Sequence, residues 1–180
     1  QFECLDRAFS FTELDGSTYA GDWQLGKRHG QGTQTDSTGQ IYTGDFKNDA
    51  FNGEGTFVFA NSDTYVGSFT DGVKSGEGTL EYANGDKYIG PFMDGMRSGT
   101  GTFTYSNGDQ YVGGFKQNEQ YGEGILSYAN GDKYVGFFQA GKPNGQGRLE
   151  LAASGNVYEG TYKNGLFDGE GTYTFANGDT

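Results

Sequence analysis

The sequence predicts an all-β protein, an elongated single-layer antiparallel β-meander of stacked two-stranded hairpins, from three observations. A tyrosine recurs every 23 residues, at Tyr19, Tyr42, Tyr65, Tyr88, Tyr111 and Tyr134, with Tyr158 one residue late. Each opens a run of alternation such as Tyr65-Val66-Gly67-Ser68-Phe69, which puts tyrosine, glycine and phenylalanine on one face of a strand. Each copy then ends in a turn sequence such as Ala83-Asn84-Gly85-Asp86. A period this regular marks an array held together by stacked neighbours instead of one central core.

Within the copy 65–87, the first strand carries Tyr65, Gly67 and Phe69 on one face and Val66, Ser68 and Thr70 on the other. A six-residue loop, Thr70 to Ser75, is expected next. The second strand then places Gly76, Gly78, Leu80 and Tyr82 opposite Glu77, Thr79 and Glu81. Asn84-Gly85, repeated at 107–108, 130–131 and 177–178, signals a tight hairpin turn with positive φ at both central residues. Glycine in a strand marks close approach of another group. The aromatic rings are therefore expected to lie across glycine sockets on adjacent strands, with Gly53, Gly55, Gly122, Gly124, Gly169 and Gly171 read as sockets, not hinges. At about 4.8 Å per strand, seven copies would give a curved ribbon roughly 65–70 Å long, one face aromatic and the other polar.

The expected organisation is a degenerate half-repeat at 1–18, acting as an N-terminal cap, followed by repeats at 19–41, 42–64, 65–87, 88–110, 111–133, 134–157 and 158–180. In the half-repeat Arg7 and Phe9 replace the Gly-x-Gly glycines. Ser62 replaces a turn glycine, and the sixth copy has one extra residue within Leu151–Gly155. The absence of an initial Met and the end at Thr180, where another phrase would begin, lead to the expectation of a fragment cut at a repeat boundary.

Composition narrows the function. The 34 glycines are in register with 15 Phe and 13 Tyr, and only two prolines occur, so disordered and collagen-like readings fail. A net charge of −12 argues against nucleic acid and against an anionic bilayer as partners. Cys4 is the single cysteine, so no internal disulfide can form, and a cytoplasmic setting is expected.

Tyr-x-Gly-x-Trp/Phe, then Gly26-Lys27-Arg28-His29-Gly30-Gln31-Gly32, then Asn-Gly-Asp-x-Tyr resembles the MORN (membrane occupation and recognition nexus) repeat. The resemblance covers nearly the whole chain from Tyr19 onward. It implies an elongated hairpin array and a scaffold role: organising cytoskeletal, ciliary or membrane-associated structures, forming extended dimers, or seating a partner helix or peptide in a trough. It also implies two alternatives, phospholipid binding and service as a targeting or regulatory segment of a larger enzyme.

Site by site, the chemistry favours binding over catalysis. Gly21-x-x-x-x-Gly26-Lys27 and Gly136-x-x-x-x-Gly141-Lys142 match the start of a P-loop. Arg28 and Pro143 stand where Ser or Thr is required, and a hairpin replaces the strand–loop–helix. Asp63, Asp86, Asp109, Asp132 and Asp179 recur one per turn, too far apart to share a calcium ion, and are expected to stabilise turns. His29, the only histidine, is expected to be solvent-exposed. No catalytic residue, metal site or cofactor is predicted. Lys27, Arg28, Lys74, Arg97 and Lys142 are candidate lipid-binding residues along one edge, where Lys47, Lys116 and Lys163 serve the copies lacking them. The acids Glu54, Glu77, Glu123 and Glu170, with the net charge, oppose that use.

Candidate partner-binding residues form two sets. One is the aromatic trough of Trp23, Phe46, Phe69, Phe92, Phe115, Phe138 and Tyr162. The other is an apolar loop stripe of Phe51, Val73, Met96, Tyr121, Leu166 and Phe167, which a loop does not need for its own stability. Homodimerisation through an open C-terminal sheet edge is a further expectation.

Overall fold

The computed structural model describes residues 9–180; Cys4 and Arg7 lie outside them. Strands β1 (Phe9–Thr12), β2 (Thr18–Gln24), β3 (Lys27–Thr35), β4 (Ile41–Lys47), β5 (Ala50–Val58), β6 (Thr64–Thr70) and β7 (Val73–Glu81) come first. They are followed by β8 (Lys87–Met93), β9 (Met96–Arg97), β10 (Gly99–Thr104), β11 (Gln110–Lys116) and β12 (Glu119–Ser127). Last come β13 (Lys133–Gln139), β14 (Lys142–Leu151), β15 (Asn156–Lys163) and β16 (Leu166–Thr174). The strands neighbour one another in chain order in one open sheet, with β9 set off the path beside β8. Every pairing for which a register is defined is antiparallel, such as Phe57↔Tyr65 and Leu126↔Tyr134. The fold is therefore the single-layer meander predicted.

By its contacts the chain resolves into two units, one running to Asn84 and including Phe92–Gly95, the other formed by Gly85–Pro91 and Met96–Thr180. Each has the same local construction. The alternation of the first strand appears directly as burial: in β6, Tyr65, Gly67 and Phe69 are buried, while Val66 and Thr70 are exposed.

The expected loop at Thr70–Ser75 is absent. Only Asp71-Gly72 separates β6 from β7, with φ of 48° and 84°, the paired positive φ of a two-residue hairpin turn. Leu25-Gly26, Ala140-Gly141 and Asn164-Gly165 repeat this conformation. The remainder of the supposed loop is a bulge inside the sheet. Gly67 pairs with Gly78 and Phe69 with Lys74, so Ser68 alone opposes Ser75-Gly76-Glu77. At the other end of each hairpin, Asn-Gly does not form the expected turn either. Gly108 has φ of 94° but Asn107 does not enter the left-handed region. The Tyr105 N–H bonds the Asp109 carbonyl and the Gly108 N–H bonds the Tyr105 carbonyl, giving a three-residue loop whose last position needs glycine. Ser62 fills that position at φ 71° in its copy.

The glycines of Gly-x-Gly divide into two kinds. A Cβ on Gly55 would lie 2.5 Å from the Tyr42 ring, and one on Gly124 would lie 2.5 Å from the Tyr111 ring. These are sockets. Gly53, Gly122 and Gly169 instead adopt φ of 79°, 80° and 75°, and a Cβ on Gly122 or Gly169 would touch nothing within 4 Å. They are the left-handed residues of the bulge, which corrects the expectation that both members of each pair are sockets.

Candidate binding face and its turn ladder

The buried layer is built from one ring per repeat. Tyr19, Tyr42, Tyr65, Tyr88, Tyr111 and Tyr134 are each at most 2% exposed. Each sits on its own glycine floor and donates its hydroxyl to the carbonyl three residues on, as in Tyr42 to Asp45 (2.8 Å), Tyr65 to Ser68 (3.0 Å) and Tyr111 to Gly114 (3.0 Å). Burying a phenol is tolerable because this bond satisfies its polar end. The second row, Phe46, Phe69, Phe92, Phe115, Phe138 and Tyr162, meets the tyrosines edge to face. Tyr42–Phe69 and Tyr111–Phe138 have centroids 5.1 and 4.8 Å apart across consecutive copies. At about 0.5–1.5 kcal/mol per pair beyond area burial, this zigzag couples each repeat to the next. Where the row departs from phenylalanine, the added polar atoms, Trp23 Nε1 and Tyr162 Oη, are buried without hydrogen-bond partners.

Above these rings lies a third row whose identity changes from copy to copy. Arg28 pairs in register with Trp23, Phe51 with Phe46, Lys74 with Phe69, Gln120 with Phe115, Pro143 with Phe138 and Phe167 with Tyr162. Phe51 stacks on Tyr42 at 3.9 Å and Phe167 on Tyr158 at 3.8 Å. In equivalent places the cations cover the rings instead. Arg28 lies 5.9 Å from Tyr19, Lys74 lies 5.3 Å from Phe92 and 5.5 Å from Tyr65, and Arg97 lies 5.1–5.6 Å from Tyr88, Phe103 and Phe115. Such contacts contribute about 0.5–2 kcal/mol.

The sequence candidates therefore divide. Phe51 and Phe167 share the third row with Arg28, Lys74 and Arg97. Val73, Met96 and Leu166 stand one position earlier in their copies, and Tyr121 one later, on the opposite face, where its ring meets Phe137 at 5.9 Å. Lys27 and Lys142 are exposed at the hairpin ends. Arg28 also salt-bridges Asp49 at 3.4 Å, and its backbone N–H donates to the same carboxylate at 2.9 Å. His29 is half-buried, not exposed as expected, with Nδ1 unpartnered beside Trp23.

Two hollows open on the aromatic face, one in each unit. One, of about 230 Å³, is lined by Phe51, Phe57, Phe59, Phe69, Val73 and Lys74. The other, of about 280 Å³, is lined by Arg97, Phe103, Tyr105, Phe115 and Gln120. Both have an aromatic floor and a cationic wall. Sequence reasoning missed their second-strand members, Phe57, Phe59, Phe103 and Tyr105, although aromatic identity at alternating positions was the available signal.

The turn aspartates do more than shape their own loops. Asp63, Asp109 and Asp132 accept the backbone N–H of Ala83, Ala129 and Ala152, each at 2.8 Å and each in the following copy's turn. Asn156 does the same for Ala176 at 3.0 Å. Both P-loop-like stretches are hairpins, turning at Leu25-Gly26 and Ala140-Gly141. Among the described residues no group of three or more His, Cys, Asp or Glu could hold a metal ion, and no helix is long and apolar enough to cross a membrane.

An open β-hairpin array with a repeated ring layer and a variable top row defines a repeat protein of the solenoid-like class. The MORN repeat model matches at residues 19–41, 42–64, 65–87, 88–110, 111–133, 134–153 and 158–180, and the chain belongs to the MORN-repeat family. A sequence search of curated proteins found no match. Among solved structures, one similar chain is the TCP domain of Drosophila melanogaster SAS-4 in complex with a proline-rich motif of Ana2. It is 16% identical, with 91% of this chain and 95% of that one covered and a TM-score of 0.48. Another is the wild-type TCP10 domain of Danio rerio CPAP, at 10% identity, 94% and 79% coverage and a TM-score of 0.40. The same domain in complex with a peptide of Danio rerio STIL gives 13% identity, 86% and 84% coverage and a TM-score of 0.30.

Proposed function

We propose that this protein is a non-catalytic scaffold that docks a partner protein on its aromatic face. The observation that carries the reading is the third row. The tyrosine, glycine and phenylalanine layers beneath it repeat because the sheet requires them. The row above runs Arg28, Phe51, Lys74, Arg97, Gln120, Pro143, Phe167, and the shared fold sets no such order. Side chains that vary on a constant frame are how a repeat array encodes one particular partner. Cations over aromatic floors, bordered by hollows, suit a helix or peptide that brings carboxylates and apolar side chains together. MORN-family membership supports the scaffold role in a cytoskeletal, ciliary or membrane-associated assembly. A phosphoinositide-binding role is the weaker alternative, because Arg28, Lys74 and Arg97 already lie on rings.

The test is affinity capture from cells with the wild-type chain and with Phe51→Ser/Lys74→Glu/Arg97→Glu, folding being checked by circular dichroism. A partner retained by the wild type and lost by the folded variant is the expected result. The same partners on both would overturn the aromatic face. Salt-sensitive binding of phosphoinositide vesicles, lost in the same variant, would transfer the function to lipid.

A further inference from the structure

The face opposite the rings is not uniformly polar as the sequence predicts. In the unit formed by Gly85–Pro91 and Met96–Thr180, it carries an apolar band. Ile89 and Val112 both pair with Thr102, Val112 pairs with Ile125, and Ile125 pairs with Val135. All four aliphatic side chains are 37–50% exposed. Phe137, 39% exposed, stands beside them opposite Glu123 and packs against Tyr121. Nothing in the fold requires this band, since Thr43, Thr56 and Thr79 fill equivalent places in other copies. The Phe137 position is Asp22, Asp45 or Ser68 elsewhere. Exposed apolar area that the fold does not use marks a contact surface.

We propose that this band is a second docking site, independent of the aromatic face, for a basic amphipathic segment of a partner protein. A groove of about 740 Å³ runs over Ile125, Val135 and Phe137 with Glu123 at its rim. Past Val135 it continues into a broader hollow of about 1030 Å³ bearing Glu159 and Glu170. Arg148 there is bound to Glu150 and Glu159, at 3.3 and 3.5 Å, and Lys116 lies over the Tyr121 ring at 5.1 Å. Among the described residues, neither Glu123 nor Glu170 has a side-chain hydrogen bond or ion pair. The groove thus presents an apolar floor between two uncompensated carboxylates on a chain of net charge −12. A second copy would bring the same carboxylates and the same net charge against them, and an anionic bilayer would be repelled. A segment whose apolar side is flanked by Lys or Arg satisfies both features.

The test uses two short fluorescent helical peptides with one leucine pattern, the first with lysine and the second with glutamate at every polar position. The comparison variant is Ile125→Thr/Val135→Thr/Phe137→Thr, which installs the residue type that Thr79, Thr43 and Thr161 already supply at equivalent places. The lysine peptide is expected to bind the wild type saturably and the variant about tenfold more weakly, while shifting the methyl resonances of Ile125 and Val135. Glu123→Gln should weaken binding, and by a larger factor at low salt than at high, while the charge-neutral Phe51→Ser on the aromatic face should leave it unchanged. Equal lysine-peptide binding by the threonine variant would reduce the effect to general attraction by the acidic chain and overturn the proposal. So would absence of binding, or equal binding of the glutamate peptide. Concentration-dependent dimerisation of the wild type, abolished by the three threonines, would assign the groove to a second copy instead.

Discussion

At Gly122 and Gly124 the same residue type answers two different demands. Gly124 is flat floor beneath Tyr111, whose ring cannot retreat. Its hydroxyl is bonded to the Gly114 carbonyl, and Phe115 and Phe138 meet it edge to face. Gly124→Ala would place a methyl 2.5 Å from that ring, and the expected loss is at the upper end of overpacking costs, about 3 kcal/mol. Gly122→Ala meets no atom but must hold φ of 80°, costing about 1–2 kcal/mol. Urea denaturation of both variants should rank Gly124→Ala as clearly the less stable; the reverse order would mean that the bulge, not the socket, governs the hairpin. The sequence showed that glycines and rings share a period. It did not show which glycine lies under a ring, because Gly122 sits inside a bulge that only the strand pairing reveals.

At the scale of elements, the connection between repeats is made twice, by rings in the middle and by carboxylates at the turns. Asp132 accepts the Ala152 N–H at 2.8 Å, and the Asn130 side-chain amide donates to its other oxygen at 2.9 Å. Asp132→Ala removes both bonds and is expected to cost about 1–2 kcal/mol. Asp132→Asn should cost little, since Asn156 serves Ala176 in the same way. Hydrogen exchange at the Ala152 amide should accelerate in the alanine variant and remain near wild type in the asparagine variant. The turn aspartates were legible as structural, but their partners 20 residues away were not. A periodic sequence repeats donor and acceptor alike and does not say which copies of each are joined.

For the whole molecule, the tyrosine layer links stability to alkaline pH. Burial is the main cause raising the hydroxyls of Tyr65, Tyr111 and Tyr134 to about 12, whereas an unfolded tyrosine ionises near 10. The folded chain therefore holds these protons more tightly than the unfolded chain. Their contribution to stability is fully present below pH 10 and is lost as pH rises from about 10 towards 12. Urea midpoints measured at rising pH should be level up to about pH 9 and then fall steeply. A flat profile through pH 11 would mean that the hydroxyls ionise near 10 in the native sheet as well.

By itself the sequence determined the strand alternation, the stacking of hairpins, the ring-on-glycine principle and the family, because each depends on local periodicity that one copy shows and the next repeats. Only the tertiary structure decided that Asp71-Gly72 and its equivalents are the tight turns, that Arg28, Lys74 and Arg97 lie on rings, and that Tyr121 joins Phe137 on the opposite face. The physical reason is the bulge. Three residues opposite one shift the register between the two ends of each hairpin, so position within the repeat does not reveal the face until the strands are paired.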